Sequence, residues 1–120
     1  MRTLFARIGA ILFFTLAASA AFAHAQLQSA LPPVGGTVSA PSEIRLTFSE
    51  GVEPKFCGVT LVSQGAAAQA VGAPHIAPGD NKVLIVTIGK ALAPGIYTVK
   101  WRAVSVDTHH TQGSFDFTVK

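Results

Sequence analysis

Ile96-Tyr97-Thr98-Val99-Lys100-Trp101-Arg102 alternates apolar and polar residues, and Ser114-Phe115-Asp116-Phe117-Thr118-Val119 does the same. Successive side chains of an extended strand point to opposite faces. The first run therefore sets Tyr97, Val99 and Trp101 against Thr98, Lys100 and Arg102. The second sets Phe115, Phe117 and Val119 on one face. Each reads as a half-buried strand, and Trp101 reads as a core residue because its neighbours at i−2 and i−4 are apolar.

Working outward, Glu43 to Phe48 alternates in the same manner, with Ile44, Leu46 and Phe48 on one face. Gly58 to Val62 is a shorter strand, and Val83 to Ile88 is an apolar run that predicts burial on both faces. Turn residues punctuate the chain at Pro32-Pro33-Val34-Gly35-Gly36, Pro78-Gly79-Asp80-Asn81 and Ala93-Pro94-Gly95. Residues 74–81 read as loop, and 64–72, rich in Ala and Gly, as a loose strand or long loop. Nothing after residue 23 shows a helical period. Short strands with a turn roughly every ten residues predict an all-β sandwich or barrel.

Residues 1–23 read as an export signal: Arg2 and Arg7 form a basic start, 8–18 an apolar stretch, and Ala21-Phe22-Ala23 a small-x-small cleavage site. The apolar stretch is shorter than the ~20 residues of a spanning helix. A mature chain of residues 24–120 is one domain of modest core. Cleavage removes two arginines and no acid, so Lys+Arg falls from 9 to 7 against 6 Asp+Glu, and net charge from +3 to +1. Nucleic-acid or acidic-membrane binding therefore gains no support. Cys57 is the single cysteine, which excludes an internal disulfide, and Met1 the single methionine. Cys57 reads as a buried structural thiol.

Between the two opening strands lies Ser105-Val106-Asp107-Thr108-His109-His110. In extended chain, residues i and i+2 share a face roughly 6.5 Å apart. Asp107 and His109 can close on one ion while His110 points away. Two ligands hold a divalent metal weakly, and the missing half is His24. Cleavage after Ala23 makes it the first residue, so its α-amine and imidazole can chelate together. With Asp107 and His109 they give three nitrogens and one oxygen, a set suited to tetragonal Cu(II) more than to zinc. The same residues also read as a solvated turn and an incidental terminal histidine. Ala23-His24-Ala25 is itself small-x-small, and cleavage after Ala25 would remove the ligand.

The mature chain resembles the CopC family of periplasmic copper-binding (copper resistance) proteins. The matching pieces are His24-Ala25-x-Leu27, Pro32-x-x-Gly35, Leu46-x-Phe48-Ser49-Glu50, Gly95-x-Tyr97-x-Val99-x-Trp101-Arg102, Val104-Ser105-x-Asp107-Thr108-His109 and Gly113-x-Phe115-x-Phe117-x-Val119. The resemblance implies a Greek-key β-sandwich or barrel, immunoglobulin-like (cupredoxin-like), with about seven strands. It implies one Cu(II) per chain on His24 (amine and imidazole), Asp107 and His109. Glu50 matches an acid near the copper, which reads as a residue that orients the ligands, with a distant axial ligand or a solvated residue at a strand end as the alternatives. Some members add a Met-rich loop with a His that holds Cu(I). Here the corresponding region, 65–78, has no methionine and leaves only His75, so no Cu(I) site is expected. The implied role is a non-enzymatic periplasmic carrier or buffer in copper homeostasis or resistance. Its partners would be an inner-membrane importer of the CopD type or a copper oxidase. A copper monooxygenase-like enzyme with an N-terminal histidine brace and a metal-free interaction module are the alternatives. Asp107 filling the metal plane and the lack of obviously exposed aromatics argue against the enzyme.

Overall fold

A computed structural model of the protein describes residues 25–120; the expected signal, 1–23, and His24 lie outside them. The described strands are β1 (Leu27–Leu31), β2 (Thr37–Val38), β3 (Glu43–Phe48), β4 (Gly58–Ser63), β5 (Ala68–Gln69), β6 (His75–Ala77), β7 (Asp80–Thr87), β8 (Gly95–Val104) and β9 (His110–Val119). Two of the nine have only two residues, so seven carry the architecture. They form two layers: a four-stranded sheet ordered β1-β3-β7-β6 and a five-stranded sheet ordered β2-β9-β8-β4-β5. Neighbours are antiparallel except β2 with β9. The sheets face one another as an open sandwich.

The core follows the alternation of the sequence. Ile44, Leu46 and Phe48 of β3 and Leu84 and Val86 of β7 face Leu61 of β4, Tyr97 and Val99 of β8, and Phe115, Phe117 and Val119 of β9. All are buried. Phe48 meets the edge of Trp101 across the sheets, with centroids 5.2 Å apart and planes at 69°. Tyr97 stacks on Phe117 at 5.7 Å, and its hydroxyl donates to the Ala93 carbonyl at 2.6 Å. Such ring pairs add directional preference to the apolar area they bury. Trp101 packs against this core while remaining partly exposed. Its indole covers Gly113 on the paired strand, where a Cβ would stand 2.6 Å from the ring.

Ile85 is also buried, although outside the main core, so the apolar run of β7 is covered on both faces at its centre. The expected loop over 74–81 is corrected. His75–Ala77 pair with β7 as an edge strand, and the turn is only Pro78-Gly79. Proline presets the first corner and Gly79, at φ 77°, supplies the second, so β7 can begin at Asp80. Residues 64–72 hold the short β5, after which Val71 makes an isolated bridge to Ile88, the residue after β7. The last strand is four residues longer than the alternation from Ser114 implied. Its extension, His110 to Gly113, pairs fully with β8 and places the site.

Candidate metal centre

β8 and β9 form a hairpin paired from Gly95–Val119 to Val104–His110, leaving 105–109 to turn at the end of the sandwich. The Thr108 N–H donates to the Ser105 carbonyl at 2.8 Å and the Ser105 N–H to the His109 carbonyl at 3.0 Å. Closure requires Thr108 to take φ 71°, a conformation that β-branched residues rarely adopt. Strain of this kind persists where the surroundings hold it in place. Here the holding is visible: the Val106 N–H donates to the Gly51 carbonyl at 3.0 Å, and the Glu53 N–H to that of Val104 at 2.8 Å.

On this loop Asp107 and His109 come together, Nδ1 to Oδ2, at 3.1 Å. Two donors ~2.0 Å from a common ion and at right angles stand about 2.8 Å apart, so the pair fits adjacent positions around one metal. The side chains keep 37% and 51% of their exposure, which leaves the pair reachable by an ion. An ion pair so exposed adds little to stability.

Ser105 is the residue that spacing alone does not reveal. It is fully buried, and its hydroxyl donates to Asp107 Oδ1 while accepting the His109 N–H at 3.2 Å. One hydroxyl thus orients both candidate ligands. The Ser105 hydrogen bond, followed by the His109 ring, holds the Asp107 carboxyl below the ordinary aspartate range. A lowered pKa contributes stability above the unfolded value, lost as pH falls through the folded one. Ser105→Ala is expected to raise the Asp107 pKa toward the ordinary value, read by NMR titration of the carboxyl carbon. It is also expected to weaken metal binding by about 10–100-fold, the usual cost of losing an orienting partner.

The start of the described chain reaches the same place. Ala25 is fully buried, and its carbonyl accepts from Thr111 Oγ1 at 2.8 Å, two residues past His109. Next along, the Gln26 N–H donates to Ser49 Oγ at 2.9 Å, and the Ser49 N–H returns to the Gln26 carbonyl at 2.8 Å. Glu50 follows Ser49, and Gly51 carries the bond to Val106. The backbone of Glu50 is thereby sewn between the N-terminal segment and the hairpin loop.

Other singled-out residues lie elsewhere. His110 is exposed and lines a cleft on the outer side of the hairpin. His75, on the edge strand β6, has Nδ1 3.4 Å from the Ala73 carbonyl. Cys57 is buried, its Sγ 4.0 Å from the Val104 carbonyl, and burial pushes its pKa up, as suits an inert thiol. Among the described residues no group of three or more His, Cys, Asp or Glu converges. The expectation that aromatics are not exposed is corrected: Phe56, in the 3-10 turn Pro54–Phe56, is 63% exposed. A one-turn element between β3 and β4 is too short to cover its ring.

Sandwich and site together define a two-sheet β-domain with a carboxylate–imidazole pair on an end hairpin, next to its N-terminal segment. Within that class the chain belongs to the CopC family, whose CopC domain matches residues 27–120. It is 39% identical over 109 residues to Copper resistance protein C of Escherichia coli, covering 86% of each chain. It is 39% identical over 112 residues to Protein YobA of Escherichia coli K12, covering 92% of this chain and 90% of that one. Among solved structures it matches PcoC, a methionine-rich copper resistance protein from Escherichia coli, with TM-score 0.75 and 37% identity. That match covers 82% of this chain and all of PcoC. CopC from Methylosinus trichosporium OB3b matches with TM-score 0.74 and 28% identity, over 81% of this chain and 94% of that one. Unlike PcoC, this chain is not methionine-rich: Met1 is its single methionine.

Proposed function

We propose that the exported chain holds one Cu(II) at the end of the sandwich and serves as a periplasmic copper carrier or buffer in copper homeostasis or resistance. The observation that carries this reading is the Asp107–His109 pair, 3.1 Å apart on a hairpin loop pinned from outside. Cleavage after Ala23 supplies the remaining donors, the α-amine and imidazole of His24. The fastening of Ala25 to Thr111 supports this, because it brings the residue after His24 to the first turn of β9. Glu50 orients the ligand set from the adjoining segment.

Four protein donors nearly fill the copper plane, which suits holding and release and leaves little room for substrate. The role is therefore carriage and not catalysis, with an inner-membrane importer of the CopD type or a copper oxidase as recipient. Copper resistance in the names of the matched relatives agrees with this role. No Cu(I) site belongs to the reading, since His75 has no thioether beside it in sequence.

Native mass spectrometry of the protein exported by a bacterial host, with one equivalent of Cu(II), tests the proposal. The expected result is a chain beginning at His24 that retains one copper. A chain beginning at Gln26, or a His24 chain that stays bare, would remove the mechanism and leave the metal-free interaction module.

A further inference from the structure

On the outer face of the site hairpin lies an open cleft of about 480 Å³ lined by Lys55, Phe56, Arg102, Val104, Thr108 and His110. Its charge is one-sided. Lys55 and Arg102 contribute two cations, and no carboxylate lines the walls. Neither cation has an ion-pair partner among the described residues, whose salt bridges are Arg45–Glu43 and His109–Asp107.

The placing of Arg102 is specific. A Cβ on Gly58, its partner across β4 and β8, would collide with Arg102 Nε and stand 3.1 Å from Cζ and Nη2. The guanidinium therefore lies close over a glycine, in space that a side chain at 58 would take. Arginine in this pose suits a carboxylate, which it can grip through two parallel bonds. Phe56 stands 63% exposed at the rim, and Val106, 52% exposed, lies on the loop just before Asp107. A small anion would use the cations and ignore these apolar groups. A protein segment uses both, with an aromatic anchor inside a polar rim.

We propose that this cleft docks an acidic segment, with carboxylates flanking an apolar side chain, on the protein that exchanges copper with this chain. The copper role rests on the reading above; the docking surface itself does not. Position is the reason for linking them: Thr108 and His110, the two residues flanking His109, both line the cleft. A partner seated there lies against the backbone that carries His109, on the face opposite its side chain. Lys55 and Arg102 would also steer its approach and make association sensitive to salt.

The test begins without copper. The exported protein, in metal-free form, is titrated by NMR with a soluble peptide of six Asp and Glu residues around one Phe. The control is the same peptide with Asn and Gln replacing its acids. The acidic peptide is expected to bind, with shifts concentrated at Lys55, Phe56, Arg102 and His110, and to weaken at least tenfold between 20 and 200 mM salt, a contrast on the order of that expected for charge-steered contacts. The Lys55→Gln and Phe56→Ser proteins, altered at exposed positions, should each lose most of that binding and fold normally. Arg102→Gln should lose it as well. Equal binding of both peptides, shifts spread over all lysines, or full binding by Lys55→Gln would overturn the proposal. A second arm measures Cu(II) transfer from the loaded protein to each peptide carrying an N-terminal Gly-Gly-His head. Faster transfer to the acidic version, abolished by Lys55→Gln with Cu(II) affinity unchanged, ties docking to exchange. Docking in the first arm by a protein that retains no copper would sink the carrier reading alone.

Discussion

Cu(II) affinity is expected to collapse in the His109→Ala and Asp107→Ala proteins, each by more than the ~10–100-fold that loss of an orienting partner costs. Either change would remove a proposed donor outright. In the proposed site, Asp107→Ala would also remove the anion that partly neutralises the copper. His109 is half exposed and its pairing with Asp107 adds little cohesion, so thermal unfolding of metal-free His109→Ala should match the parent. Asp107→Ala takes the acceptor from the buried Ser105 hydroxyl and should unfold somewhat lower. His110→Ala, altered next door but on the outer face, should bind copper within about threefold of the parent, since a surface change away from the site has small effects. Competition against a chelator of known affinity, with the copper absorption band as readout, checks all three. A His109→Ala protein that binds as tightly as the parent would remove the residue from the site. In the parent, affinity should fall as pH drops below ~7.7, because the α-amine must lose its proton to bind. Asp107 does not set this limit, since the Ser105 hydroxyl keeps its carboxylate ionised below the ordinary range.

Phe48→Ala is expected to destabilise the domain by about 3–5 kcal/mol, the usual cost of a fully buried phenylalanine. That is a large part of the ~5–15 kcal/mol a domain of this size possesses. The midpoint of thermal unfolding should drop by roughly 12–40 °C. The position explains the size of the effect. Phe48 is fully buried on β3 and meets Trp101 of the opposite sheet, so its ring joins the two layers. The next residue, Ser49, holds the Gln26 backbone through two hydrogen bonds, so truncation should also loosen the N-terminal segment. Trp101 is the single tryptophan and gives the readout: urea unfolding followed by its fluorescence should shift to lower urea with unchanged slope. A loss below about 1 kcal/mol would mean that neighbouring side chains collapse into the space.

The strands that enclose the core were legible because alternation is a local property. Residues 43–48 and 96–102 each carry one apolar face, and burial of that face fixes the register. Where the chain departs from alternation, legibility ends. His75–Ala77 has no apolar stripe; it is a strand because Pro78-Gly79 folds it back onto β7, whose backbone groups need partners. Residues 110–113 gave no strand signal either, with a glycine at the core-facing position 113. Trp101 of the facing strand fills that gap, a compensation visible only when both strands are paired.

The candidate ligands divide in the same way. The i, i+2 spacing of Asp107 and His109 was enough to nominate them, and processing after Ala23 to nominate His24. Convergence was a tertiary matter. The loop is not extended chain; it is a tight turn closed by Thr108 in a left-handed conformation, and this brings the side chains to 3.1 Å. Ser105 acquires its role only inside that turn, where one buried hydroxyl reaches Asp107 and His109 at once.

Residue types and their periodicity thus determined an all-β chain, its apolar faces and a short list of metal donors, since each depends on neighbours within a few positions. Which ends of the chain meet was decided by the sandwich. Thr111 is 86 residues from Ala25 in sequence and 2.8 Å from it in space. Contacts at that separation depend on how two sheets stack, and no local pattern encodes the stacking.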